Sequence, residues 1–296
     1  MAIDVEARKQ EVLNLPCWKG KVEIQPLSGG LSNLNFLVSD DGKKFVVRMV
    51  GGDVPLHSVM RFNELEGLKA ASKIGITPGI AYNEPGIIVI DFVEGKTYTL
   101  DDVRRVDNLK RILAVVRTLH DEAKHHIIGP CLGFWVFRVH RSYAQVLHKG
   151  KSGMLPKIPR FMEINDELER AVGAVQLTFC HNDLLPGNFI DSGEKIWVID
   201  WEHSGYGAQL FDLSNIASNA ALPEDTEREL LEGYYGAPAD NKLWRRYKAF
   251  RAASHLREAM WSMVSEIHLN LDVDYVEYTR QNLDAFEIAY AEYKKI

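Results

Sequence analysis

Residues 179–201 read FCHNDLLPGNFIDSGEKIWVIDW. In this stretch Asn188 follows Asp183 of His181-Asn182-Asp183 by five positions, and Asp200 closes an apolar run twelve positions later. Asn188 to Asp191, the Ser192-Gly193 turn and Lys195 to Ile199 alternate as a short hairpin does. Folding that hairpin returns Asp200 to the side of Asn188, so two oxygen donors can share one cation with Asp183 close by. A plain hairpin with acidic turns would give no reason for an asparagine after Pro186-Gly187. Nor would it explain a carboxylate ending Ile196-Trp197-Val198-Ile199.

Moving a γ-phosphoryl group to an alcohol requires a carboxylate against the acceptor hydroxyl and hard oxygen ligands that hold Mg²⁺ among the phosphates. Asp183 suits the first role, Asn188 and Asp200 the second. HNDLLPGNF, IDWEHSGYG and FDLSN resemble segments of the protein-kinase-like small-molecule kinases and, within them, the choline/ethanolamine kinases. The ordered run Asp183, Asn188, Asp200, Glu202, Tyr206 and Asp212 carries the resemblance. It extends over roughly Gln25 to Tyr290 and is dense over residues 179–215. The resemblance implies an α+β, bilobal protein-kinase-like fold. A small N-terminal antiparallel sheet lobe, residues 1–94, would bind nucleotide, and a larger, mainly helical C-terminal lobe, residues 95–296, would carry catalysis and acceptor binding. It further implies ATP and Mg²⁺ as cofactors and choline, ethanolamine or a related small cationic amino alcohol as acceptor. Relatives with the same catalytic core that act on an aminoglycoside or thiamine remain as alternatives, as does a catalytically silent nucleotide-binding module.

Composition is compatible with this. A chain of 296 residues that is 46% hydrophobic can bury the cores of two lobes. A formal net charge of -6 argues against a nucleic-acid partner and suits a cationic small molecule. Cys17, Cys131 and Cys180 are widely spaced and form no CxxC pattern, which reads as reduced thiols in a cytoplasmic protein. The opening MAIDVEARKQEVLNL lacks a signal-peptide apolar stretch, and no run approaches a membrane span, so no membrane insertion is expected. Oligomeric state is left open.

Upstream, residues 4–14 pattern as a short amphipathic helix. Strands follow around 22–24, 34–38 and 45–49, the last two joined through Asp40-Asp41-Gly42. Ser28, Gly29, Gly30, Ser32 and Asn33 form a candidate phosphate loop, since glycines let backbone N–H groups approach phosphate oxygens. Gly-Gly between strands also reads as an ordinary turn. Arg48, on the apolar strand FVVRMV, requires either a structural ion pair or a bound phosphate. The resemblance makes it the α/β-phosphate ligand and Glu64 of the next helix its carboxylate partner, with Glu66 second. The strand IIVIDFVEG, residues 87–95, leads to a hinge where main-chain groups of Asp91 and Val93 are candidates for the adenine edge. Leu109, Ile112, Leu113, Val116 and Leu119 define a helix over 107–123 that ends in a structural His120. Residues 128–160 read as an irregular connection, and 164–175 as a helix. His181 is expected to fix the catalytic loop, and Asp212 to support it or cap the helix that follows.

A cationic head group calls for aromatic faces and a nearby carboxylate. Glu202 and Tyr206 follow the metal aspartate closely enough to serve. Among the C-terminal aromatics, Trp244, Tyr247 and Phe250 read as core. Trp261 and Tyr278 resemble choline-pocket positions of the family, and Glu258 stands where a second pocket tryptophan is expected. That departure favours ethanolamine-like amines, or else a pocket rebuilt from Tyr206, Trp261 and Tyr278.

Overall fold

The computed structural model describes residues 5–27, 34–49, 55–57, 59–268 and 273–296. Helix α1 (Val5–Leu13) precedes strands β1 (Val22–Leu27), β2 (Leu34–Asp40) and β3 (Lys43–Met49). Then come α2 (Arg61–Lys73), β4 (Ile80–Glu84), β5 (Ile87–Asp91) and a short β6 (Lys96–Thr97). The helical part opens with α3 (Leu100–Arg104), α4 (Val106–Glu122), α5 (Val136–Lys149) and α6 (Ile158–Val172). It is interrupted by β7 (Leu177–Cys180), β8 (Phe189–Asp191), β9 (Ile196–Val198) and β10 (Gly205–Ala208). Helices α7 (Gln209–Asn219), α8 (Glu224–Tyr235), α9 (Asn241–His268) and α10 (Tyr275–Tyr293) complete the chain.

The N-terminal sheet is antiparallel in the order β1-β2-β3-β5-β4. Its β2–β3 hairpin closes through Asp41 and Gly42, both at positive φ (48° and 85°), the backbone that a tight turn between right-twisted strands requires. Strand alternation sends β5 into two cores at once. Ile87 and Val89 join Phe36, Val38, Phe45, Val47 and Val12 on one face, whereas Ile88 and Ile90 join Leu68 and Ala71 of α2 on the other. A strand buried on both faces explains why Ile87 to Ile90 are apolar without alternation, up to the half-buried Asp91 that ends it.

The C-terminal part is organised around α9, a 28-residue helix packed by α5, α6, α7 and α10. Its middle is buried all round, so its sequence has no clean amphipathic stripe. The helix expected over 107–123 is α4, with its five apolar residues buried. By contrast, residues 128–160 are not an irregular connection, because α5 occupies their centre. Val136, Phe137, Val139, Tyr143 and Leu147 of α5 face the core together with a fully buried His140. His140 Nδ1 meets Asn165 Oδ1 at 2.7 Å, and Nε2 meets the Ala253 carbonyl at 3.1 Å. A satisfied histidine at a core position, flanked by arginines, conceals the helical period. No described helix is long and apolar enough to cross a membrane.

Candidate active site

The loop after β7 is held from below. Asp212, in the first turn of α7 with Ala208 as N-cap, spends its carboxylate on this loop. Oδ2 accepts the His181 backbone N–H at 2.9 Å, Oδ1 accepts that of Asn182 at 2.7 Å, and His120 Nε2 lies 3.0 Å from Oδ2. Asp212 is therefore loop support, not a cap. The nearby Cys180 thiol is pushed far up by burial and stays neutral. Cys17 and Cys131 are free thiols as well. His181 also acts as a brace: Nε2 meets the Ile199 carbonyl at 3.0 Å, and Nδ1 accepts the Asp183 backbone N–H at 3.2 Å. Asn215 takes the Leu184 N–H at 2.5 Å.

These braces bring the three oxygen-bearing residues together. Asn188 Nδ2 donates to the Asp183 carbonyl at 2.8 Å, which turns its Oδ1 away from the loop. Ile199 N–H donates to the Asn188 carbonyl at 3.0 Å across the β8–β9 hairpin, which holds the residue before Asp200 against Asn188. Asp200 sits at φ 67° and Asn182 at φ 65°, left-handed backbone that non-glycine residues adopt at a cost of about 1–3 kcal/mol each. The charges of both Asp183 and Asp200 are felt by the buried His203.

On the sheet side, Arg48 Nη2 lies 3.1 Å from Asp200 Oδ1 and Nη1 lies 3.3 Å from Glu64 Oε1. Burial disfavours the charged guanidinium, but Asp200, Glu64 and Glu202 more than offset it and keep it charged. Glu64, only 1% exposed, takes a second arginine, Arg61, at 2.6 Å, whereas Glu66 pairs with Lys69 at the surface. Glu202 lies in this cluster, 3.5 Å from Arg61, and burial followed by the Asp200 charge pushes it up to about 7. At the hinge, the Asp91 N–H is already given to the Gly79 carbonyl and its carboxylate pairs with Lys43. Val93, half-buried, follows in the connection to β6. Ser28, Gly29, Gly30, Ser32 and Asn33 lie outside the described residues.

On α9, Trp261 meets Tyr278 and Tyr275 edge-on (centroids 6.4 and 6.1 Å apart) and His57 at a tilt (5.4 Å). Tyr206 packs instead on Phe179, at 6.2 Å, and is not among the rings around Trp261. Glu258 is engaged on both oxygens: Oε1 by Arg257 Nη1 at 2.5 Å and Oε2 by the Tyr278 hydroxyl at 3.4 Å. The same Arg257 Nη1 holds Asp183 Oδ1 at 2.7 Å. Burial works to raise the Asp183 carboxyl, and the Arg257 guanidinium more than offsets it, leaving Asp183 below the usual aspartate range. Glu258 is left above its usual range, because there burial outweighs the same arginine. Sequence reasoning passed over Arg257, Arg61 and His57. The available signal was a charged pair, Arg257-Glu258, inside an otherwise apolar helical stretch.

Residues 24–231 match the model of the choline/ethanolamine kinase family. The chain belongs to the choline/ethanolamine kinase family. Members of this family are phosphotransferases that act on an alcohol group. Among its relatives, probable choline kinase 2 of Arabidopsis thaliana is 26% identical, the match covering 90% of this chain and 85% of the relative. Ethanolamine kinase 2 of Mus musculus is 24% identical, over 89% of this chain and 75% of the relative. In three dimensions the chain is similar to the choline kinase LicA from Streptococcus pneumoniae. The TM-score is 0.78 at 19% identity, with 97% of this chain and all 100% of that one covered. The bilobal fold expected from the sequence is thus the fold of this family.

Proposed function

We propose that this choline/ethanolamine kinase family member transfers the γ-phosphoryl group of ATP to the hydroxyl of choline, ethanolamine or a related small amino alcohol, with Mg²⁺. The observation that carries the reading is the convergence of Asp183, Asn188 and Asp200 around one loop and one hairpin, opposite a charged Arg48. In this reading residues 1–94 bind the nucleotide and residues 95–296 carry catalysis and the acceptor.

Asp183 orients the acceptor hydroxyl and accepts its proton as the phosphoryl group is transferred. Asn188 Oδ1 and the Asp200 carboxylate are hard oxygen donors of the kind Mg²⁺ takes, and these two residues would hold it. When bound, the ion neutralises charge on the phosphate oxygens. Arg48, fixed by Glu64, positions the phosphates, with the segment Ser28 to Asn33 as the loop over them. Val93 offers its backbone N–H to the adenine edge, and Asp91 its carbonyl. Trp261 and Tyr278 supply aromatic faces for the cationic head group.

The test is ADP release from Mg²⁺-ATP across choline, ethanolamine, an aminoglycoside and thiamine, with Asp183→Ala as the blank. Turnover on an amino alcohol that Asp183→Ala abolishes supports the reading. Turnover on thiamine or the aminoglycoside alone removes the proposed acceptor class.

A further inference from the structure

The acceptor end holds a cation that the phosphotransferase chemistry has not yet used. Arg257 stands in the middle of α9, 2% exposed, with Asp183 on one side and Glu258 on the other. One nitrogen, Nη1, serves both carboxylates, at 2.7 Å and 2.5 Å. A guanidinium this deeply enclosed persists only when its charge is matched and its geometry fixed. Here the match comes from Glu258 and from the proposed catalytic carboxylate of Asp183. The side chain of Asp183 is 13% exposed, and Oδ2 accepts no hydrogen bond among the described residues. One oxygen of Asp183 is clamped and the other is left for a hydroxyl.

We propose that Arg257 is the positioning residue of the acceptor site, clamping Asp183 so that its second oxygen faces the acceptor hydroxyl, and that Glu258 acts by anchoring Arg257, not by binding the head group. Three observations support the second half. Both Glu258 oxygens are engaged within the protein. Arg257 and Glu258 are adjacent on one helix, so the anchor moves with the clamp. A substrate ammonium placed on Glu258 would also have to sit beside a guanidinium, where like charges repel. The head group is therefore read by the rings around Trp261, of which Tyr278 reaches the anchor through its hydroxyl alone. Glu258 at the position of a pocket aromatic changes how the base is held, and leaves the choice between quaternary and primary ammonium to those rings.

The proposal rests on the phosphotransferase reading above, and wild-type turnover separates the two: no turnover on any amino alcohol defeats that reading, not this one alone. With an active wild type, Arg257→Met, Arg257→Lys and Glu258→Gln are compared by initial rates in both substrates and by thermal melting. Displacing a reacting group by about 1 Å costs on the order of 100-fold, so Arg257→Met should lower kcat about 100-fold while both KM values stay within about 3-fold. Arg257→Lys, which restores the charge, should recover about tenfold of that loss. Glu258→Gln should lower kcat about tenfold and leave the choline-to-ethanolamine ratio of kcat/KM within about 2-fold. A folded Arg257→Met that keeps wild-type kcat, or raises only the acceptor KM, overturns the clamp. A change of about tenfold in the ratio for Glu258→Gln makes Glu258 a head-group ligand and overturns the anchor. If Arg257→Met does not fold, the Lys and Gln variants decide by the same criteria, a kcat unchanged in both overturning the proposal.

Discussion

Arg48→Met removes the cation that Asp200 and Glu64 share across the cleft. Breaking a buried ion pair costs about 3–5 kcal/mol when the remaining charge is left without a partner. Two features of this site reduce that cost. Glu64, enclosed at 1% exposure, keeps Arg61 at 2.6 Å, and Asp200, with 31% of its side chain exposed, keeps contact with water. The expected loss is about 2–3 kcal/mol, the value of one charge-assisted hydrogen bond together with partial desolvation. At about 2–4 °C per kcal/mol for a chain of this size, the melting temperature should fall roughly 5–10 °C. With Arg48 as the proposed phosphate ligand, its loss should lower kcat/KM for ATP about 100-fold, equivalent to about 2.7 kcal/mol of transition-state stabilisation. Arg48→Lys keeps the charge but cannot offer the two-armed fork, and should recover about half of the stability loss. Thermal melts, with rates measured against ATP at saturating amino alcohol, read both effects. An Arg48→Met protein that melts within about 1 °C of wild type and keeps its KM for ATP would refute the placement of Arg48 at the hub of this network.

Three further outcomes follow from other parts of the molecule. Burial is the first cause holding His57 and His140 down to about 4 and His203 and His255 down to about 3. The unfolded chain takes up these protons near 6.5, so the stability they represent is whole above that pH and drains away as pH falls toward 4, about 1.4 kcal/mol per histidine by pH 5.5. Glu202, raised to about 7, works in the opposite sense between 4.5 and 7. Urea midpoints should therefore show a net loss of about 2–4 kcal/mol between pH 7.5 and 5.5, and a flat profile would contradict four neutral buried rings. Asp212→Asn puts an amide donor against the N–H groups of the catalytic loop. It should cost about 2–4 kcal/mol and lower kcat 10- to 100-fold, with retention of full activity counting against loop support. Lys248→Met removes the ammonium, 2% exposed, held by Glu227 at 3.0 Å and Glu292 at 2.6 Å. Arg251 still covers Glu227, so denaturation should show a loss of about 2–3 kcal/mol with kcat within about 2-fold of wild type.

The catalytic loop was legible because its parts are local. Asp183, Asn188 and Asp200 lie within one loop and one hairpin, and the Ser192-Gly193 turn dictates how they meet. The sheet was legible for a similar reason, since β2, β3 and β5 show plain alternation and a turn at Asp41-Gly42. Arg48 was readable as a lone charge on an apolar strand, whereas the choice of Glu64 over Glu66 came from the family resemblance, and the structure shows why it holds: Glu64 is on the buried face of α2. What the sequence concealed depends on distance and on satisfied polar groups. Arg257 reaches Asp183 from a helix 74 residues downstream, and no local period reports such a contact. His140 sits in the core of α5 because Asn165 and Ala253 satisfy it, so a buried position reads as polar and the helix disappears into an apparent loop. Glu202 was expected at the acceptor, and its place beside Arg61 depends on the approach of α2, which sequence spacing does not encode.

The most direct test of the central claim is product identification by phosphorus NMR after incubation with Mg²⁺-ATP and either choline or ethanolamine, using wild type and Asp183→Ala. The account predicts a phosphomonoester of the amino alcohol, formed in step with ADP by the wild type and absent with Asp183→Ala. ADP appearing with inorganic phosphate as its only companion, or a phosphomonoester formed equally by both proteins, would contradict it.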